Sequence, residues 1–129
     1  MLPALIRKAH EAKLADHDSM KIWGTGTPRR EFLHVDDLAD ASVFLMQSYS
    51  QDQHINVGYG EDITIMELAQ LVSDVVGFRG RIVLEHDKPD GTPQKLMSAN
   101  RLRALGWRPK ITLRDGISST YRWFCETAL

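Results

Sequence analysis

The sequence predicts an α/β fold in which short strands alternate with helices. Apolar residues recur at helical spacing in several segments, the first of them residues 2–15. Brief apolar runs bounded by glycine lie between these segments, as is typical of strands. This alternation favours parallel strand pairing. Because the strands are few and short, we expect residues 1–129 to form a single small domain, of the substrate-binding or lid type, that packs on a larger partner.

The amino-terminal half is predicted to hold two helices and three strands. In chain order they are a helix at 2–15, a strand entering a glycine turn at 21–26, a strand at 30–35, a helix at 38–47 and a strand at 54–58. Pro3 suits the first turn of its helix, where a missing N–H costs nothing. Asp36 and Asp37 are expected to cap the second helix, because carboxylates accept from the free amides of a helix start.

The carboxy-terminal half is predicted to hold three helices, one strand and a stiff polar loop. In chain order they are a helix at 64–76, a strand at 81–85, the loop at 85–97, a short helix at 100–105 and a final helix at 113–127. Thr64 and Glu67 have the spacing of a capping box, which marks the start of a helix. Gly77 and Gly106 are expected to end their helices, because glycine adopts the left-handed conformation of a helix terminus.

The balance of charge limits the partners that the chain can attract. Lysine and arginine number 16 against 17 for aspartate and glutamate, so we expect binding neither to nucleic acid nor to an acidic membrane. The first residues lack an uninterrupted apolar segment, which argues against a signal peptide and a membrane span. The one cysteine, Cys125, cannot form an internal disulfide, so we expect a reducing, cytoplasmic location.

The histidines and the cysteine do not indicate a metal site or a nucleophile. The five histidines are scattered, and with a single cysteine a zinc site is not expected. His34 is expected to be structural, bonded to backbone or to a carboxylate. Cys125 lies near the end of an amphipathic helix without an evident activating base, so we expect it to serve in packing.

The stretch WGTGTPRREF has the residues of an anion-binding turn. Gly24 and Gly26 permit a tight turn and a close approach to a ligand. Arg29 and Arg30 follow a proline and could hold a diphosphate, because guanidinium groups match phosphate oxygens in pairs. Trp23 offers a flat face for a sugar or a base. The alternative is an ordinary β-turn with two solvated arginines and a core tryptophan.

The loop EHDKPDGTPQKLM, residues 85–97, is stiff, polar and almost devoid of residues to bury. Pro89 and Pro93 fix backbone angles in it. Asp90 lies at the turn, where its carboxylate could accept from ribose hydroxyls or from the N–H groups of a base. Lys95 could reach a phosphate. The alternative is a Pro-Asp-Gly surface turn in which Asp90 only closes an Asx turn.

Two motifs of dinucleotide-dependent dehydrogenases are absent from the chain. Neither glycine turn, GTGTPR or GYGEDI, has the third glycine of a dinucleotide-binding fingerprint. No tyrosine is followed four residues later by a lysine, because Gln53, Ile63 and Cys125 stand at those positions. The sequence thus provides neither a dinucleotide cradle nor a Tyr-Lys acid/base pair.

Set side by side, these stretches resemble the carboxy-terminal part of the extended short-chain dehydrogenase/reductases, and most narrowly the GDP-L-fucose synthase family. Two stretches resemble patterns shared by many nucleotide-sugar epimerases and dehydratases, namely REFLHVDDLA and NRLRALGWRP. Three more resemble the fucose synthase branch, namely IWGTGTPRREFLHVDD, HINVGYGEDITIMELAQ and KPDGTPQKL. The resemblance covers essentially all 129 residues.

The resemblance implies that the cofactor and the substrate bind to different parts of the protein. In that family an amino-terminal Rossmann domain binds NADP(H) and carries the catalytic Ser, Tyr and Lys, whereas the carboxy-terminal part binds a GDP-sugar. It implies that this chain is the GDP-sugar-binding part, acts with a Rossmann domain that it does not contain, binds no cofactor itself and is inactive alone. A homo-oligomer is also expected, because apolar helix faces that meet the Rossmann domain would otherwise be exposed.

The resemblance also implies a set of substrate-binding residues. The matching positions are Lys8, Trp23, Arg30, Asp90 and Lys95. The family often has arginine where this chain has Lys8, which keeps the charge and loses the bidentate fork. Two other hypotheses remain open. The chain could belong to another nucleotide-sugar epimerase or dehydratase, or it could be a non-catalytic module that binds a nucleotide sugar.

Overall fold

Ten helices and strands form in residues 1–128, which the computed structural model describes. They are α1 (Leu2–Leu14), β1 (Ser19–Trp23), β2 (Arg29–Glu31), α2 (Val35–Ser48), β3 (Asp62–Thr64), α3 (Ile65–Val76), β4 (Arg81–Glu85), β5 (Gln94–Lys95), α4 (Asn100–Ala104) and α5 (Leu113–Thr127). This confirms the α/β class. No helix within those residues has the length and apolar character needed to cross a bilayer.

The strands form two small sheets that are joined by two loops. In the first sheet β1 pairs in parallel with β4, and in the second β2 lies between antiparallel β3 and parallel β5. The chain therefore passes from the first sheet to the second twice. We call residues 24–28 the first crossing loop and residues 86–93 the second crossing loop. Since both their starting strands and their ending strands are parallel neighbours, the two loops run side by side.

The main core lies between α1, α3, α5 and the first sheet. Helix α3 is central and buries Leu68, Ala69 and Val72 completely. Ile6 of α1 and Ile117 of α5 are buried against the same cluster. The apolar face of α3 is thus removed from water by contacts with α1, α5 and the first sheet. The core fixes the position of α1 beside β1, where the candidate site lies.

The capping signals at α3 are confirmed. The Thr64 side chain accepts from the Glu67 N–H at 3.1 Å, and the Glu67 carboxylate accepts from the Thr64 N–H at 2.9 Å. This reciprocal pair is a capping box. Gly77 ends the helix with φ of 82°, a left-handed conformation that favours glycine. Gly106, after α4, also has a positive φ of 99°.

The prediction that Asp36 and Asp37 cap α2 is wrong. His34 is the N-cap, and its Nδ1 accepts from the Asp36 N–H at 3.1 Å. The buried carboxylate of Asp37 instead accepts from the backbone N–H groups of Lys110 and Ile111, at distances of 3.0–3.2 Å. It ties α2 to the segment before α5. His34 has the structural role expected of it.

The strand predicted at residues 54–58 does not form. Ile55 and Val57 pack against a second, smaller apolar cluster that centres on Leu102. Arg101 donates to the backbone oxygen of His54 at 3.1 Å. The apolar pattern of this segment therefore reflects packing against a helix, and its backbone enters no sheet.

Candidate functional site

A cleft of about 460 Å³ lies between α1, the end of β1 and the second crossing loop. Its volume is in the range of small-molecule sites, and its lining is mostly apolar. Four of the five predicted binding residues line it, namely Lys8, Trp23, Arg30 and Asp90. They come from a helix, two strands and a loop. The sequence-based grouping of these four positions therefore corresponds to one place in the fold.

Lys8 reaches the cleft from α1, one helical turn after the buried Leu5. Its ammonium group donates to the backbone oxygen of Lys21 at 2.8 Å. This bond fixes the direction of the flexible side chain. An ammonium group carries three donors, so two remain for a ligand.

Arg30 is the arginine of the pair that faces the cleft. It lies in the middle of β2, is half-buried, and its Nη1 donates to the Arg29 backbone oxygen at 2.7 Å. Its Nη2 lies against Gly91, where an added Cβ would be only 2.9 Å away. Arg29 is otherwise engaged, because its Nε donates to Asp62 at 2.8 Å. The sequence alone does not show which of these two adjacent arginines faces the cleft.

Trp23 stands at the end of β1 as an exposed wall of the cleft. Its side chain is 61% exposed, so the interpretation as a core tryptophan is excluded. The Lys88 ammonium lies 5.8 Å from the ring centroid, within reach of a cation–π contact. An exposed ring at the edge of a cleft can stack on a base or a sugar.

Asp90 joins the two crossing loops. Its Oδ1 accepts from the Thr25 backbone N–H at 2.9 Å, and its Oδ2 accepts from the Thr25 hydroxyl at 2.7 Å. The hydroxyl bond, followed by the backbone bond, lowers the pKa of Asp90 below its ordinary value. A side chain on Gly24 would collide with Oδ1. Asp90 therefore does more than close a local Asx turn, because its carboxylate contacts Thr25 of the first crossing loop.

Lys95 is the predicted residue that the cleft lining does not include. It lies on β5 and is the register partner of Arg30 on β2. Paired residues on neighbouring strands share a face of the sheet, so its exposed side chain starts from the same side as Arg30. The structure thus brings Lys8 and Arg30 into one cleft and places Lys95 one strand away.

Thr25 is a contact residue of this region that no sequence pattern indicates. It is bonded to Asp90, 65 positions later in the chain. No spacing rule connects two residues so far apart. The only sequence signal is that each lies in a loop with glycine and proline, which is weak on its own.

Other reactive groups lie outside the cleft. Cys125 is exposed on α5, so the prediction that it serves in packing is wrong. Burial raises the pKa of Tyr121 to about 12, and its hydroxyl lies 2.9 Å from Nδ1 of His10. Across residues 1–128, His, Cys, Asp and Glu form no group of three that could hold a metal ion.

Comparisons with known proteins agree on one group of enzymes. A family model described as the NAD dependent epimerase/dehydratase family matches residues 1–58. GDP-L-fucose synthase 1 of Arabidopsis thaliana is 56% identical over 126 residues, which are 98% of this chain and 39% of that protein. GDP-L-fucose synthase of Escherichia coli strain K12 is 48% identical over 135 residues, which cover 98% of this chain and 42% of that protein.

A solved structure gives the same result for the fold. The crystal structure of a GDP-L-fucose synthetase from Naegleria fowleri bound to NADP superposes with a TM-score of 0.90 at 27% identity. The match covers 98% of this chain and 40% of that one, so the chain spans about two fifths of the length of the relatives that it matches. The chain is thus a homologue, along nearly its whole length, of part of the GDP-L-fucose synthases.

Proposed function

We propose that the chain is the carboxy-terminal, GDP-sugar-binding part of a GDP-L-fucose synthase. That enzyme converts GDP-4-keto-6-deoxy-D-mannose to GDP-L-fucose by epimerising two carbons beside the ketone and reducing the ketone with NADPH. The observation that carries the proposal is the convergence of Lys8, Trp23, Arg30 and Asp90 on one cleft. The family resemblance predicts a substrate-binding role for the same four residues.

The cleft has the groups that a nucleoside diphosphate sugar requires. The Arg30 guanidinium and the Lys8 ammonium supply positive charge from two directions, which suits the two phosphoryl groups. Trp23 supplies a flat apolar surface. The oxygens of Asp90 each keep a free lone pair beyond their bond to Thr25 and can accept from ribose or base donors. Lys95, the register partner of Arg30, adds positive charge on the neighbouring strand.

The residues of this chain do not fit NADP(H) itself. The glycine turn of the first crossing loop lacks the dinucleotide fingerprint, and its glycines are packed against protein. An added Cβ at Gly26 would lie 3.1 Å from Met66 and 3.2 Å from Leu84, while Gly24 abuts Asp90. These glycines make room for neighbouring side chains. We therefore assign cofactor binding to a Rossmann domain that acts together with this chain. The location proposed for both is the cytoplasm.

The chain alone is expected to be inactive. Epimerisation requires a base beside the ketone and reduction requires a proton donor, and the chain has no Tyr-Lys pair for these steps. Purified chain mixed with NADPH and the keto sugar should consume no NADPH beyond a protein-free control. Clear turnover would contradict the assignment of chemistry to another domain.

Titration calorimetry tests the proposed ligand. GDP should bind the chain more tightly than UDP or dTDP, and Arg30→Ala should abolish or strongly weaken the heat of binding. Preference for UDP or dTDP would favour another nucleotide-sugar epimerase or dehydratase. Absence of binding to all three nucleotides would refute the proposal for this chain.

A further inference from the structure

The two crossing loops are fastened to each other at both ends. At one end the Gly24 N–H donates to the Glu85 backbone oxygen at 2.9 Å. At the other end the Arg29 N–H donates to the Pro93 backbone oxygen at 2.8 Å. Between these points the second crossing loop is exposed, and it enters no sheet. Its middle therefore needs a further contact to hold one position.

Thr25 provides that contact through two bonds to one carboxylate. Its backbone N–H and its hydroxyl donate to the two oxygens of Asp90, at 2.9 and 2.7 Å. The Thr27 hydroxyl lies 2.7 Å from the Thr25 hydroxyl oxygen. Because the single hydroxyl proton of Thr25 is directed to Asp90, Thr27 acts as donor to Thr25. Hydrogen bonds to a charged group are stronger than those between neutral groups.

The middle of the second crossing loop is also a wall of the cleft. Pro89, Asp90 and Gly91 line the cleft opposite α1. Gly91 is in contact with the guanidinium group of Arg30, so displacement of the loop would remove the surface against which that group rests. The position of the loop and the geometry of the proposed phosphate site are therefore linked.

We propose that Thr25 is a positioning residue that holds the second crossing loop as a wall of the cleft and so sets the affinity of the cleft for a nucleoside diphosphate. The identity of the ligand rests on the proposed function. The positioning of the loop does not, since it follows from contacts within the chain. Thr25 acts through Asp90 and need not touch the ligand.

The experiment compares three variants of the full chain. Thr25→Val keeps the shape of the side chain and the backbone bond but removes the hydroxyl, whereas Thr25→Ser keeps the hydroxyl. Thr127→Val makes the same change on the exposed end of α5 and is the matched control. Two quantities are measured, namely the Kd for GDP by calorimetry and the backbone order of residues 90–92 by NMR relaxation.

Thr25→Val should raise the Kd by about tenfold, the effect of losing one hydrogen bond to a charged group. Order parameters of the loop amides should fall from rigid values near 0.85 to about 0.6 or less. Thr25→Ser should restore both quantities to within about twofold of the parent chain, and Thr127→Val should change neither. Since Thr25 is exposed, these variants are expected to fold.

Failure of this proposal can be distinguished from failure of the proposed function. If the parent chain binds GDP and Thr25→Val binds it equally well, Thr25 is not a positioning residue. If the parent chain does not bind GDP, the proposed function fails. The order parameters of residues 90–92 then test by themselves whether Thr25 positions the loop. Asp90→Ala, which removes the other partner, should loosen the loop to the same degree. If the loop stays ordered in both Thr25→Val and Asp90→Ala, the proposal is overturned.

Discussion

Arg30 and Arg29 are adjacent in sequence but opposite in role. Arg29 is bonded to Asp62 on the neighbouring strand, whereas Arg30 faces the cleft. Successive residues of a strand point to opposite faces, so only one of two adjacent arginines can serve a given site. The choice between them depends on which face of β2 the cleft occupies. That information is absent from the local sequence.

Replacing Arg30 by lysine tests whether the guanidinium fork matters. Arg30→Lys keeps the charge and loses the paired donors, so the Kd for GDP should rise by about tenfold. Lys95→Ala should raise it by about twofold, because Lys95 lies outside the cleft lining. The control is Arg79→Lys, a change at an exposed arginine beyond α3. Equal Kd values for Arg30→Lys and the parent chain would contradict the phosphate role of Arg30.

The bond between Asp90 and Thr25 predicts a dependence of loop order on pH. The Thr25 hydroxyl and N–H hold the pKa of Asp90 below its ordinary value of 3.8, and the charge of His86 acts in the same direction. A carboxyl whose pKa is lowered on folding adds stability above its ordinary pKa and loses it as the pH falls through the lowered value. The carboxyl carbon shift of Asp90, which reports protonation of that group directly, should stay constant from about pH 7 to 5 and change only below about pH 4. A transition at or above pH 5 would contradict this bond.

Local sequence identified some site residues and not others. Trp23 and Arg30 lie on either side of a glycine- and proline-containing loop, Asp90 lies within another, and the family resemblance matched all three by position. The role of Thr25 could not be predicted, because it depends on two loops that become neighbours only when both pairs of strands form. The same is true of the separation of Lys95 from the cleft.

At the scale of elements, signals contained within a few residues were reliable. The capping box at the start of α3 needs only residues 64–67, and it formed as predicted. The start of α2 differs from the prediction because the Asp37 carboxylate accepts from backbone amides 73 and 74 positions later. The strand expected at 54–58 does not form, because its apolar residues pack on the cluster around Leu102. Both errors arise from long-range contacts.

Thr64→Ala tests the contribution of the capping box. Loss of the side-chain acceptor leaves the Glu67 N–H without its partner, so the free energy of unfolding should fall by about 1 kcal/mol. Urea denaturation followed by circular dichroism measures this change. Thr127→Ala, at the exposed end of α5, is the control and should change the value by less than about 0.5 kcal/mol. An equal effect of the two substitutions would rule out the capping role.

At the scale of the whole molecule, one helix retains an exposed apolar face. Val35, Leu38, Val43 and Met46 of α2 are all exposed, and Met46 is 83% exposed. Helical spacing places them on one side of the helix. The small sheets and the amphipathic α3 could be anticipated from the sequence. Division of the strands into two sheets could not, because it depends on pairings between distant strands.

This face predicts self-association of the isolated chain, in line with the homo-oligomer expected from the sequence. Contiguous exposed apolar surface favours association between copies. Sedimentation velocity should show a dimer or larger species, and Met46→Lys should shift the population toward monomer. Ser48→Lys adds the same charge at an exposed position of α2 away from this face and should leave the distribution unchanged. A monomer at all concentrations of the parent chain would contradict the prediction.

A crystal structure of the chain with GDP would show whether the cleft binds the nucleotide. The diphosphate should lie between the Lys8 and Arg30 side chains, with the nucleoside beside Trp23 and Asp90. GDP bound at another surface, or with its phosphates away from both Lys8 and Arg30, would contradict this placement.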